Sequence, residues 1–185
     1  MTATLSGSGL AELRSAGHGA TSEVLALSGT TSSVVSFGAV IQSEFTVCSV
    51  TRYTVDTVNS QAILQGGTVI GEARPSWMHG HYYGKAGVAY YGAGQWKTSP
   101  QGSVSPITDW VVMCGTNAGS QLKLVNGVDV GTATGGTGGT SLFVNGGYYR
   151  LFKSEFAIAE VAVWPRGLTS AEMRRVSDHL MSRMG

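Results

Sequence analysis

The stretch Phe156–Trp164, FAIAEVAVW, decides how this chain folds. Bulky apolar side chains alternate in it with small or acidic ones, and it ends on a tryptophan. Such a period of two predicts a β-strand with at least one buried face. The Pro-Arg-Gly sequence at 165–167 then ends the strand, because proline cannot donate a ladder hydrogen bond and glycine favours a turn.

An amphipathic helix is predicted directly after this corner. Thr169 is the expected N-cap, and Glu172 completes a capping box three residues later. Apolar residues recur beyond it at helical spacing, and charged residues between them form a solvated face. The apolar positions are Met173, Val176, Leu180 and Met184, and the charged ones are Arg174, Arg175, Asp178 and Arg183. The chain therefore ends as a core strand, a corner and one helix laid on the body.

The composition favours many short strands joined by glycine-rich turns. The 185 residues include 27 glycines, only 12% are charged, and the net charge is +1. We predict a single domain over residues 1–185, with neither the basic patch of a nucleic-acid binder nor the apolar run of a membrane helix. No signal peptide is recognisable, and the abrupt start favours a module of a longer secreted protein.

Short strands are expected along the whole chain, with Asn126-Gly127 as the strongest hairpin signal. Residues 6–22 are interpreted as a loop and a turn containing His18, and residues 131–140 as a polar loop. About twelve strands and one helix predict an all-β fold, a two-sheet antiparallel jelly-roll sandwich. The strands are predicted at 3–5, 23–27, 33–37, 45–54, 61–65, 77–83, 86–91, 108–114, 122–125, 128–130, 141–144 and 155–164.

Several of these segments, in this order, resemble the concanavalin A-like superfamily, specifically its laminin G-like and pentraxin-like modules. They are the strand Phe45–Cys48 (FTVC), a second cysteine at Cys114, the Asn-Gly hairpin, and the Trp-ended strand before the sequence Leu168–Glu172 (LTSAE). The resemblance covers roughly residues 24–184 and implies the sandwich fold. It does not settle function, because lectins, adhesion modules, glycanases and lyases share that fold.

The resemblance also implies a disulfide between Cys48 and Cys114 that bridges two strands. Closing a loop of that length would stabilise the fold by about 4 kcal/mol in the chain-entropy model. The alternative is a pair of buried free thiols in a cytosolic protein.

The calcium site of the pentraxins does not carry over, because its loops lack the necessary carboxylates. The acidic candidates are scattered: Asp56, Glu72, Asp129 and Glu155. We therefore expect no cofactor, with calcium at a simpler rim site left open.

The densest unusual stretch is a hairpin over residues 77–91. If Gly84-Lys85 is its turn, one face collects two histidines and three aromatic rings, and we expect that face to point outward as a glycan platform. The predicted ligand-binding residues are Trp77, His79, His81, Tyr83, Tyr90 and Trp96. The alternative is that these rings pack against an overlying loop or a neighbouring domain.

Two further chemistries are weaker. His79 and His81 could form half of a zinc site, but a third ligand would have to come from His18 or Asp109. Residues 83–90 also resemble a strand of jelly-roll alginate lyases, without that family's arginine-rich partner strand. Glycanases need two carboxylates on one face, whereas Glu155 and Glu160 fall on opposite faces.

We therefore predict a non-catalytic, extracellular binding or adhesion module of lectin type, with a glycan or a protein surface as its partner. Neighbouring domains or further copies of the chain are additional partners, and neither nucleic acid nor membrane insertion is expected. One alternative is a purely structural module within a larger assembly. The other is a polysaccharide lyase-like enzyme.

Overall fold

A computed structural model describes residues 3–57, 60–67, 77–92, 97–98, 104–132, 136, 138–146 and 152–185. These residues form fourteen strands and one helix. The strands are β1 (Thr4–Ser6), β2 (Ala11–Gly17), β3 (Ala20–Gly29), β4 (Val34–Ile41), β5 (Thr46–Tyr53), β6 (Leu64–Gly67), β7 (Trp77–Tyr82), β8 (Lys85–Tyr90), β9 (Lys97–Thr98), β10 (Val111–Thr116), β11 (Leu122–Val125), β12 (Val128–Thr132), β13 (Thr140–Val144) and β14 (Phe156–Trp164), and the helix is α1 (Ser170–Ser182).

The strands form two seven-stranded antiparallel sheets that pack face to face. The first sheet has the order β1-β4-β13-β6-β7-β8-β9, and the second has the order β12-β11-β10-β5-β14-β3-β2. In each sheet, half of the neighbouring strand pairs are not consecutive in the sequence, as expected of the crossing connections of a jelly roll. The predicted fold class, a two-sheet concanavalin A-like sandwich with one C-terminal helix, is confirmed.

Two hydrophobic cores lie on opposite faces of the second sheet. The first fills the space between the sheets and includes Phe45, Trp77 and Phe156. The second lies between the second sheet and α1 and includes Met173 and Leu180. All eight residues of β5 are buried, because one face of this strand meets the first sheet and the other lies under the helix.

The helix begins as the capping box predicted. The Thr169 hydroxyl accepts a hydrogen bond from the Glu172 backbone N–H at 3.2 Å, and the Glu172 carboxylate accepts one from the Thr169 N–H at 2.8 Å. The described part of the chain contains no helix with the length and apolar character that crossing a membrane requires.

Two strands were not expected, the two-residue β9 and the longer β2. Residues 11–17 were interpreted as loop, but β2 pairs with the ten-residue β3 and forms the edge of the second sheet. Most of β2 is exposed, so its sequence does not show the apolar alternation that identifies a half-buried strand. His18, correctly placed in a turn, adopts a positive φ of 56° between these two strands.

The disulfide implied by the resemblance is confirmed. Cys48 on β5 and Cys114 on β10 lie directly opposite each other in the strand register and are bonded. Both belong to the second core, beneath the helix.

Removing this bridge should destabilise the fold substantially. The variant Cys48→Ala/Cys114→Ala should lose about 4 kcal/mol of unfolding free energy, because the bonded cysteines are 66 residues apart and their bridge restricts the unfolded chain. Urea denaturation of the variant and the oxidised protein measures the difference. The protein under reducing agent is the control and should approach the variant. A loss below about 1 kcal/mol would contradict the expected effect of the bridge on the unfolded chain.

Candidate functional site

The β7–β8 hairpin turns one residue earlier than predicted. Tyr82 pairs with Lys85, so Tyr83 and Gly84 form the two-residue turn. Both have a positive φ, 52° and 64°, as a type I′ turn requires. A register shift between Gly80 and the next residue further changes the pairing. The predicted turn at Gly84-Lys85 is therefore wrong, and each β7 residue faces a different β8 residue than that turn would give.

The predicted platform lies mostly in the core between the sheets. Trp77, His79 and His81 each have 0% exposure. The Trp77 ring stacks on Tyr91 with centroids 5.1 Å apart, and the His81 ring meets Tyr53 edge-on at 4.6 Å. The expectation that this face points outward is therefore wrong for these three residues, because their rings fill the first core.

The buried histidines are held neutral by their surroundings. The Met113 carbonyl can only accept, so His79 Nε2–H donates to it at 3.2 Å, and His79 Nδ1 accepts from the Tyr91 hydroxyl at 2.7 Å. Burial lowers the pKa of His79 to about 3 and that of His81 to about 3.

The zinc hypothesis finds no support in this geometry. Both ring nitrogens of His79 already have protein partners. No group of three His, Cys, Asp or Glu side chains among the described residues is arranged to hold a metal ion.

Acidification should destabilise the protein through these two histidines. Their pKa of about 3 in the folded chain compares with 6.5 for an ordinary histidine, so the unfolded chain binds more protons as the pH falls below 6.5. The unfolding free energy should be full above that pH and fall below it by up to about 1.4 kcal/mol per pH unit for each histidine.

Urea denaturation from about pH 7.5 to about pH 4.5 measures this slope. The variant His81→Phe keeps a ring against Tyr53 and should lose about half of the pH dependence between pH 6.5 and pH 5. An unfolding free energy that stays constant from neutral pH down to about pH 5 would contradict the expected proton linkage.

Of the other predicted platform residues, Tyr83 and Tyr90 lie within the described part of the chain and neither is fully buried. Tyr83 is at the hairpin tip and is 61% exposed, and Tyr90 is half-buried. Trp96 lies outside the described residues. The Tyr83 ring is 6.0 Å from Tyr82, which in turn is 5.9 Å from Phe152. A ligand role for Tyr83 and Tyr90 stays a prediction.

A groove that the sequence did not predict lies between β14 and α1. A register shift after Ile158 leaves Ala159 as an extra residue and resets the alternation of the strand. Val161 and Val163 consequently pack on the first core. Glu160, Ala162 and Trp164 then face the helix side of the sheet, where they line the groove.

The helix contributes the opposite wall. Arg175 and Val176 lie three and four residues after Glu172, and His179 follows them at the same spacing, so all four share one face of α1. We call the resulting cavity of about 380 Å³ the α1–β14 groove. It is lined by Glu160, Ala162, Trp164, Arg166, Leu168, Glu172, Arg175, Val176, His179 and Leu180.

There is an ion pair at each end of the groove, one between the corner after β14 and α1, and one between β14 and the end of α1. Arg166 donates to both oxygens of Glu172, at 2.8 and 3.2 Å. These contacts, with those from Thr169, lower the pKa of Glu172 to about 2. At the other end Arg183 donates to Glu160 at 2.8 Å. Exposed pairs add little stability, so their main effect is to position the two walls.

The middle of the groove offers donors without partners. The side chains of Arg175 and His179 are exposed, and neither makes a hydrogen bond or ion pair with any described residue. The neighbouring Arg174, by contrast, reaches Asp129 at 3.3 Å. The half-buried Trp164 supplies an aromatic ring on the strand side. An aromatic ring, an apolar base and a few free polar groups are the usual make-up of a ligand site.

The depression continues beyond the Arg183–Glu160 pair. A second cavity of about 380 Å³ runs along β3 and β14, and it includes Leu25, Ala159 and Arg183. A ligand longer than the first groove therefore has further surface to contact.

From the sequence alone, the charged face of the helix is expected to be only a solvated surface. The small residues at 159 and 162 before Trp164 were the available signal that this side of β14 stays open.

The fold is a two-sheet antiparallel jelly-roll sandwich, and its candidate site is the α1–β14 groove. No family model and no curated protein matches the sequence. Among solved structures, the chain is similar to Trypanosoma rangeli sialidase in complex with the inhibitor DANA, with 15% identity and a TM-score of 0.59 over 94% of this chain and 29% of that one.

Two further structures share the fold. Domain 4 of a GH43 extracellular arabinanase from Geobacillus stearothermophilus, in complex with arabinotriose, has 14% identity and a TM-score of 0.55, with 95% of this chain and 87% of that one covered. The binding domain of Paraclostridial Mosquitocidal Protein 1 has 11% identity and a TM-score of 0.54, with 96% and 47% covered. The chain spans only about a third of the sialidase chains that it matches.

Proposed function

We propose that this chain is a non-catalytic carbohydrate-binding module and that its glycan lies in the α1–β14 groove. The observation that carries the proposal is the combination of Trp164 on one wall with the free donors of Arg175 and His179 on the other. A sugar ring presents an apolar face that can stack on an indole, while its hydroxyls accept hydrogen bonds from charged and imidazole donors.

The structural comparisons support a binding role. The arabinanase domain binds arabinotriose, and it corresponds to this chain over nearly its whole length rather than over a fragment of it. A second similar structure is a binding domain. Because one fold serves many functions, this likeness supports the proposal only together with the composition of the groove.

The carboxylates of the groove support a non-catalytic role. Glycoside cleavage needs one carboxyl group that stays protonated near neutral pH. Glu172 is held ionised by Arg166 and has a pKa of about 2, and Glu160 is tied to Arg183. Neither is arranged as a general acid.

We also propose that the domain is extracellular and forms part of a longer protein. A disulfide in the second core suits an oxidising compartment. In this proposal the domain folds as one unit and presents the groove to glycans as an adhesion or targeting module.

Glycan-array binding followed by calorimetry tests this function. Ala162→Leu replaces a residue that belongs to neither core, fills the base of the groove and should weaken glycan binding about tenfold or more. Trp164→Ala should do the same, because it removes the stacking surface. Tyr83→Ala is the matched control, since it removes an exposed aromatic ring outside the groove, and it should bind as the wild type does.

Two results would overturn the assignment. Loss of binding in Tyr83→Ala, with full binding by Ala162→Leu, would move the site to the hairpin tip. Failure of the folded wild type to bind any glycan would favour a structural module whose groove a neighbouring domain covers.

A further inference from the structure

We propose that the α1–β14 groove selects a glycan that carries a carboxylate, and that Arg175 and His179 hold this sugar acid. The inference rests on the proposed carbohydrate-binding function and names the class of sugar that the same groove takes. It comes from the balance of charge along the groove, which differs between its ends and its middle.

The two carboxylates of the groove are already neutralised. Glu172 accepts two hydrogen bonds from Arg166, and Glu160 accepts one from Arg183. Arg175 lies between these pairs on the helix, and no carboxylate among the described residues is within 4.0 Å of its guanidinium. The middle of the groove therefore carries a positive charge that a bound anion would balance.

The geometry of the helix suits a carboxylate in particular. Arg175 and His179 are four residues apart on α1, so their side chains project from neighbouring turns toward the same groove. A guanidinium offers two parallel N–H groups that match the two oxygens of a carboxylate. The imidazole one turn further can donate to the same carboxylate or to an adjacent hydroxyl.

The surroundings strengthen this contact. Val176 and Leu180 from the helix and Ala162 from the strand place apolar surface beside the two donors. Partial exclusion of water makes a charge-assisted hydrogen bond stronger than it would be on an open surface. A neutral sugar would use the indole of Trp164 but would leave the charge of Arg175 unbalanced.

The helix also provides its own control. Arg174 is the neighbour of Arg175, is equally part of the exposed face, and pairs with Asp129 on β12 instead of lining the groove. A glycan that merely follows the net positive charge of the helix would respond to both arginines. A glycan bound in the groove would respond to Arg175 alone.

Calorimetry with matched ligand pairs tests the inference. The pairs are trigalacturonate with its methyl ester, and sialyllactose with lactose, so that each pair isolates the contribution of the carboxylate or of the acidic sugar. The wild type should prefer the acidic member of at least one pair by about tenfold or more. Arg175→Gln should abolish that preference by weakening binding of the acidic member far more than of the neutral one, His179→Gln should weaken the preference, and Arg174→Gln should retain it.

The remaining outcomes separate the two proposals. If neutral glycans bind as tightly as acidic ones and Ala162→Leu abolishes both, the groove binds carbohydrate and the acid selectivity is wrong. If the wild type binds neither pair nor any glycan on the array, the carbohydrate-binding function fails and the selectivity with it. The inference would be overturned if Arg174→Gln lost the preference for the acidic member as fully as Arg175→Gln does. It would also be overturned if an oligoglutamate peptide bound as tightly as the acidic glycan, because either result would indicate unspecific attraction of anions.

Discussion

The burial of strand β5 on both faces is the constraint on which the rest of the structure depends. A strand in an antiparallel sandwich usually has one face in the core and one in water. Every residue of β5 is buried, so its outer face needs a cover, and α1 supplies it by lying across β5, β10 and β11. The Cys48–Cys114 bond ties two of these covered strands together directly beneath the helix.

The position of the helix is set from β5 as well. The buried Thr46 hydroxyl donates to the Arg166 carbonyl and accepts from the Leu168 N–H, both at 2.9 Å, so the corner between β14 and α1 is anchored on β5 itself. The capping box then starts the helix at once. Because the helix lies over β5, β10 and β11, it leaves Ala162 and Trp164 of the neighbouring β14 only partly buried. The α1–β14 groove is thus a consequence of how β5 is covered.

Most of the fold could be predicted because its signals are local. The alternation in residues 156–164, the Thr169–Glu172 capping box and the Asn126-Gly127 hairpin each require only a few neighbouring residues. The same holds for the order of the segments that resembles the concanavalin A-like fold. The disulfide followed from that resemblance and from the two cysteines, rather than from any local pattern.

The site could not be predicted in the same way, because it depends on details that are not local. The hairpin turn moved by one residue to Tyr83-Gly84, which is unexpected because a tyrosine rarely adopts a positive φ. A histidine is usually expected at the protein surface, but His79 is buried and both of its ring nitrogens have hydrogen-bond partners. These are the Tyr91 hydroxyl and the Met113 carbonyl, which comes from the opposite sheet. The groove combines a strand bulge at Ala159 with one face of a helix, and neither sequence pattern alone indicates a cavity.

Backbone amide mapping by nuclear magnetic resonance, with the tightest-binding glycan from an array, is the most direct test of the claim that the helix-covered sheet carries the binding site. The account predicts that shift changes concentrate at residues 160–164 and 172–183 and leave residues 77–91 unaffected. Changes concentrated on the hairpin, with the helix amides unmoved, would contradict it.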